Sequence, residues 1–411
     1  MSKANTTANE PPTDSQTDYG VGGHRYNDDL LLAAEARERA RQEHEAIFHV
    51  LDHEQLRAAF RQENDAANRA KRQSHVAGFW AVAAALAGLA GAASEPLWIY
   101  LIVPLRPVIA VASAALGLLS FVVGVGGLLY GKRKAAWLHS RLHTERLRQF
   151  HFQSLIWRLP EIAASLRAGE REREDYRAAR EQWFSVVEQE LKGKSDAQMA
   201  SLLNPTAAPL PVWLHRNALT SEEPAVPGGA DVSLEVVFQA YEVFRFDEQE
   251  GYAEYMLRPT NRPEPRKGQG VRPRRSNWLW YPGVNQPLRA KLKALIALWI
   301  VALAALVLLH VIVLAAHVGG WHQLEGPWMH VTIVWAALLA VAVKTLSEGF
   351  ALSREIERYE EYRAVVSSLK RAFREAQSPR RKLQLMIEME KAAFEEMRVF
   401  LRSHHEATFI M

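Results

Sequence analysis

The chain of 411 residues has no cysteine, which excludes disulfides and thiol catalysis and suits soluble parts held in a reducing compartment. It has no Ser/His/Asp arrangement, no paired-carboxylate cleft and no dinucleotide fingerprint, so neither an enzyme nor a cofactor is expected. No apolar run precedes residue 77, so no cleavable signal peptide is expected and the first run should serve as an uncleaved anchor. Neither sign of charge dominates. The net value is +4 with pI 9.1, and much of the cationic excess stands beside the apolar runs rather than in one groove or face. That favours a lipid bilayer as partner and argues against nucleic acid.

Charge is also missing from four runs: Ala77 to Ala93, Pro107 to Tyr130, Ala294 to Val318 and Trp328 to Val343. As helices the first two reach roughly 26 Å and 36 Å, against a hydrocarbon core of about 30 Å. The fourth is short and spans only if its helix runs on past Lys344, whose ammonium would snorkel to the interface; alone it also fits a buried core helix. Arg69, Lys71 and Arg72 precede the first run and Lys132, Arg133 and Lys134 follow the second. Arg289, Lys291 and Lys293 precede the third, and Lys344 and Arg354 follow the fourth. The loop Gly319 to Pro327 has no Lys or Arg, and Ser94 to Arg106 has one Arg. The expected fold is therefore an all-α integral membrane protein with four transmembrane helices in two hairpins, 77–130 and 294–343. Both termini and the long middle segment should face the cytoplasm. Trp98, Tyr100, Trp321 and Trp328 suit the outer headgroup layer, and Trp278, Trp280 and Tyr281 the inner one.

Residues 1–26 are polar and too poor in apolar groups to offset the entropy of ordering, so a disordered tail is expected. Asn27, Asp28 or Asp29 can cap a helix, and the stretch to His75, free of Pro and Gly, should rise as one long helix into the first span. Arg37, His44 and Glu54 interrupt its apolar stripe. After the second span, helix is expected to Leu159, with Pro160 as a kink or stop, and then from Glu161 to Lys194 with dense Glu and Arg. Residues 204–231, with five Pro and a Gly pair, form a linker. Helix 232–257, an insertion rich in Pro and Arg at 258–287, the second hairpin and C-terminal helices broken at Ser378-Pro379 complete the chain. The cytoplasmic helices should form a bundle or coiled-coil-like endodomain. The order helix, hairpin, helix occurs twice, as 27–203 and 232–411.

Several residues stand out for possible chemistry. Gly126 to Arg133 nearly spells a phosphate loop, but Arg133 replaces the magnesium-binding Ser or Thr and the segment ends a lipid span. Ser113, Gly117, Ser120, Gly124 and Gly127 instead make a small-residue groove, and Ala81, Ala84, Gly88 and Gly91 a matching stripe, so these faces should pack together. His49/His53 and His139/His143 stand four apart, a two-point metal pattern without a third ligand; exposed helix-face histidines fit better. His310 lies well inside the third span, with His317 two turns on and His330 in the fourth. Such residues belong in a protein interior or wet cavity, as a pore or gate element or as an interhelical hydrogen-bond partner.

Trp137, Arg141, Glu145 and Arg148 follow the first hairpin with the spacing W-x3-R-x3-E-x-L-R. Tyr241, Arg245, Asp247, Gln249 and Tyr252 precede the second as Y-x3-R-x-D-x-Q-x2-Y, and Glu390, Glu395 and Phe400 lie ahead of His405 and Phe409 in the closing helix. In these motifs the chain resembles the SLATT superfamily of bacterial membrane proteins, here as two tandem units. It departs from that pattern in its 258–287 insertion and in having four spans where two are usual. The resemblance implies a homo-oligomeric effector of a conflict or antiviral system in the bacterial inner membrane. Such an effector opens a pore in response to a nucleotide signal or a nucleotide-sensing or nucleotide-generating partner. The alternative is a passive membrane scaffold that recruits a soluble partner through its cytoplasmic helices. On its own spacing, the Arg141/Glu145 pair is an ordinary intrahelical ion pair worth a few tenths of a kcal/mol.

Overall fold

The computed structural model describes residues 28–97, 106–125, 127–167, 169–204, 210–214, 232–259, 287–321 and 326–407. The expected tail, most of the linker and of the 258–287 insertion, and Trp98, Tyr100, Trp278, Trp280, Tyr281 and Phe409 lie outside them. Among the described residues the chain is almost wholly helical and has no strand. Its helices are α1 (Ala34–Glu43), α2 (Glu54–Ala93), α3 (Arg106–Val125), α4 (Gly127–Trp157), α5 (Leu159–Arg167), α6 (Glu170–Gly193) and α7 (Ser195–Leu203). Then comes α8, which starts as Val232–Tyr241, widens to a π-helix at Glu242–Asp247 and ends as Glu248–Met256. The last four are α9 (Leu288–Gly319), α10 (Pro327–Gly349), α11 (Leu352–Glu375) and α12 (Pro379–Glu406).

Among the described residues three helices are long and apolar enough to cross a membrane: α2, α9 and the segment Pro327–Glu375 that holds α10 and α11. Their ends follow local chemistry. Gly320, at φ 71°, closes α9 in a Schellman turn in which the Trp321 amide donates to the Ala316 carbonyl at 2.8 Å. Pro327 opens α10 at a position where a helix needs no amide donor, and Ser378 caps α12 by accepting from the Arg381 amide at 3.2 Å. Between α10 and α11 the backbone turns at Ala351, with φ 52°, a break not anticipated in a stretch of helix-forming composition.

The helix expected to run unbroken from Asn27 begins instead at Glu54. Before it lie α1 and short helical turns, ended by extended backbone at Asp52 and His53. The reason is long-range. The buried Arg180 guanidinium of α6 donates to the carbonyls of His49, Val50 and Asp52 at 3.0, 2.7 and 3.1 Å, taking acceptors that a continuing helix would have used. Asp52 in turn binds Arg37 and Arg57.

α2 packs along both α3 and α4, α9 packs on α10, and α10 lies against α2, where the Trp335 indole donates to the Ala90 carbonyl at 3.1 Å. Below the apolar segments the polar stretches merge into one body. Its largest core cluster joins Ile47, Phe152 and Ile156 to Phe238, Phe246, Met256, Tyr362, Met386 and Met389, so residues from both expected units share it. α12 also lies along α4, and the Lys134 ammonium donates to the carbonyls of His405 and Ala407, both at 2.6 Å, at the carbonyl end of α12.

Candidate functional site

The motif residues of the two halves meet in this body. α4 carries Glu145 between two guanidiniums one turn to either side: Arg141 lies at 2.6 Å and Arg148 at 2.8 Å. Arg148 continues to Asp29 at 2.7 Å, so a residue that sequence suggested as a helix cap is a buried counterion. Burial alone would raise the Glu145 carboxyl, but Arg141 and Arg148 outweigh it and hold the group down to about 2. The intrahelical pair expected to be minor is thus part of a desolvated chain of charges.

α8 supplies the facing group. Its π turn keeps Tyr241 and Arg245 on one side, where both reach Glu390 of α12. The guanidinium makes a fork of 2.8 and 3.0 Å to the two carboxylate oxygens, and the Tyr241 hydroxyl donates to the first at 2.8 Å. Glu390 is 0% exposed and Arg245 1%, so neither charge has water to fall back on. Burial would lower the Arg245 guanidinium; the Glu390 carboxylate more than offsets this and pushes it up. The Phe152 ring lies 4.5 Å from the guanidinium carbon. Further along the motif, Asp247 pairs with Lys370 at 2.8 Å, Gln249 accepts from the Tyr362 hydroxyl at 3.2 Å, and Tyr252 packs edge-on to Tyr359 at 5.8 Å.

A second ionic group lies at the membrane end of the body. Arg358 of α11 binds Glu355 through 3.0 and 2.7 Å bonds and also pairs with Glu396 of α12, while His404 stands 3.5 Å from Glu355. Trp137 packs edge-on to His404 at 4.9 Å and to His75 of α2 at 5.6 Å, with the Lys71 ammonium 5.5 Å from its ring. Burial drives the His404 imidazole down to about 4, against the opposing pull of Glu355. This layer joins α2, α4, α11 and α12 where α2 enters its apolar run and α4 enters the body.

Glu355, Arg358, Tyr362 and His404 were not singled out from sequence, and Asp29 only as a helix cap. The available signal was charge at positions where α11 keeps an apolar stripe: Glu355 and Arg358 flank Ile356 and Tyr359, all four buried. In the other direction, His49 and His53 are buried rather than exposed, and a backbone break separates them. His49 Nε2 lies 2.9 Å from the Ser165 hydroxyl, and both ring nitrogens of His53 have no hydrogen-bond partner among the described residues. His139 and His143 face Asp196 and Glu63, both at 3.7 Å.

In the apolar helices Gly88 and Gly91 of α2 face α3. A methyl carbon on Gly88 would lie 3.0 Å from the Gly117 amide nitrogen, and one on Gly91 would collide with the Ser113 side chain. Gly117 itself has open space where a methyl would go. Ser120 and Gly124 lie on α3, their surroundings outside the described residues. His310, His317 and His330 all face outward. His310 Nδ1 lies 2.8 Å from the Leu306 carbonyl of its own helix, so this bond is intrahelical.

No family model, curated protein or solved structure matches this chain. Among the described residues, fold and junction define a helical protein with three helices long and apolar enough to cross a membrane and a polar body centred on buried ion pairs.

Proposed function

We propose that this chain is a SLATT-like effector of a bacterial conflict or antiviral system, crossing the inner membrane four times as the hairpins α2/α3 and α9/α10 with both termini cytoplasmic. Copies assemble so that the hairpins form or gate a pore, and the polar body regulates them in response to a nucleotide signal or a partner sensor. The observation that carries this reading is the outward placement of His310, His317 and His330 on helices otherwise faced with Val, Leu, Ile and Trp. An imidazole facing hydrocarbon is costly, and a second copy or a wet lumen removes that cost. Further support comes from α2 and α4, each an unbroken helix that joins an apolar run to the ionic junction and can carry a rearrangement of the body to the spans as a stiff rod.

Expression with the natural trigger should depolarise the membrane, and replacing His310 and His317 together by Leu should change the conductance or its ion selectivity. If membrane potential stays constant with the trigger present, the pore reading fails. The scaffold reading is then tested by whether a soluble partner copurifies from detergent.

A further inference from the structure

The short segment Leu210–Leu214 (LPVWL), with bends at Val212 and Leu214, lies against α4, and the way it is held resembles ligand recognition more than chain packing. No backbone–backbone hydrogen bond joins it to the rest of the described chain. Its attachments come from two fully buried side chains of α4. The Gln153 amide donates to the Val212 carbonyl at 2.9 Å and accepts from the Leu214 amide at 3.0 Å, the two-point pairing that a neighbouring strand would otherwise offer. The Arg146 guanidinium donates to the same Val212 oxygen at 3.3 Å. Alternate residues enter two apolar clusters: Leu210 and Val212 lie with Met199 of α7 and Phe394 and Met397 of α12, and Leu214 with Phe60 and Phe184.

Arg146 is the second observation. Its side chain is 1% exposed, yet among the described residues it has no carboxylate within ion-pair distance. Its partners are the Gln149 side-chain oxygen at 2.8 Å, the Val212 carbonyl and the Phe394 ring at 5.6 Å, and its Nε has no acceptor. Burial pulls the guanidinium down to about 9, with only Glu190, itself paired to Lys194, opposing this. Two buried donors, one of them cationic, therefore converge on a neutral oxygen. A carboxylate there would form a charge-assisted bond with Arg146 and use both donors.

We propose that this groove between α4, α7 and α12 binds the apolar C-terminus of a partner protein, whose terminal carboxylate takes the place of the Val212 carbonyl, and that Leu210–Leu214 is a tethered stand-in that fills it when the partner is away. Occupation would bear directly on α12, which carries Glu390 and His404. The inference does not depend on the pore reading.

The test uses the full chain in detergent with residues 210–214 replaced by Gly and Ser, and two fluorescein-labelled peptides of sequence AAPLPV, one ending in a free carboxylate and one in an amide. By anisotropy the acid peptide should bind this variant about tenfold more tightly than the amide, as a charge-assisted bond predicts. Wild type should bind it more weakly than the variant, because the strap competes, and Arg146→Met in the variant should erase the preference for acid. A variant with unchanged helicity and melting that binds neither peptide, or both alike, overturns the proposal. Should the replacement itself unfold the chain, hydrogen exchange at the Leu214 amide of wild type decides: acceleration by the acid peptide alone supports the proposal, and no change overturns it.

Discussion

Glu390 concentrates more of the design than any other side chain, because three hydrogen bonds from Arg245 and Tyr241 end on it at 0% exposure. Glu390→Leu leaves the Arg245 charge buried without a counterion and should destabilise the protein by about 3–5 kcal/mol. Pairing it with Arg245→Met should recover most of the loss, since replacing both charges by apolar groups removes the stranded ion. Thermal unfolding in detergent reads both. The glycine contact predicts an asymmetry: Gly88→Ala drives a methyl carbon to 3.0 Å from the Gly117 amide nitrogen and should loosen α2 from α3, whereas Gly117→Ala meets open space and should be neutral. A hairpin cross-linking yield that falls equally for both would contradict this geometry. The small-residue stripe could be read from spacing, because one helix face suffices to display it. That Gly88 is crowded by the Gly117 backbone while Gly117 meets open space could not, since it depends on where the partner backbone runs.

The start of α2 is set by a residue more than a hundred positions away. Composition from Asn27 to His75 gives no local reason to stop a helix, and the stop comes from the three carbonyls that Arg180 captures. Arg180→Met should therefore cost about 1.5–3 kcal/mol, the usual worth of hydrogen bonds to a buried charge, and should raise hydrogen exchange around Leu51–His53 beyond the rest of the core. Uniform exchange changes across the body would argue that Arg180 only fills space. The π turn in α8 belongs to the same category. It was invisible in a sequence that reads as continuous helix, yet it lies within the Tyr241 to Tyr252 motif and sets the face that reaches Glu390.

Four buried histidines give the whole body a pH dependence of definite sign. Burial lowers His49 to about 4, His53 to about 2, His151 to about 3 and His404 to about 4, each from 6.5. Below 6.5 the unfolded chain takes up protons that the folded one refuses, so stability is full above that value and falls as pH drops toward the folded values. Glu248 works in the opposite direction: burial and the nearby Asp29, Asp28 and Asp247 raise it to about 8, so it adds stability on acidification from that value to 4.5. Glu145, lowered from 4.5 to about 2, enters only below that window. Between about pH 6.5 and 4.5 the histidines outnumber Glu248, and the melting temperature should fall. Because neither ring nitrogen of His53 has a hydrogen-bond partner among the described residues, His53→Leu should leave neutral-pH stability nearly unchanged and flatten the slope. A melting temperature that is flat or rising over that window would refute the balance.

Hydropathy, flanking charge and proline positions identified the apolar runs, the helical class and the breaks near Pro160 and at Ser378-Pro379, because lipid, water and proline act on each segment without reference to the rest of the chain. Spacing likewise showed that Arg141, Glu145 and Arg148 share a face of one helix, and that Tyr241 and Arg245 share a face of another. Tertiary structure alone decided that Asp29 answers Arg148 and Glu390 answers Arg245, that His53 is buried dry, and that a stretch marked as linker lies over a buried guanidinium. Each of these is a match between distant charges or donors, and its free energy arises only after packing has removed the water that would satisfy either partner alone.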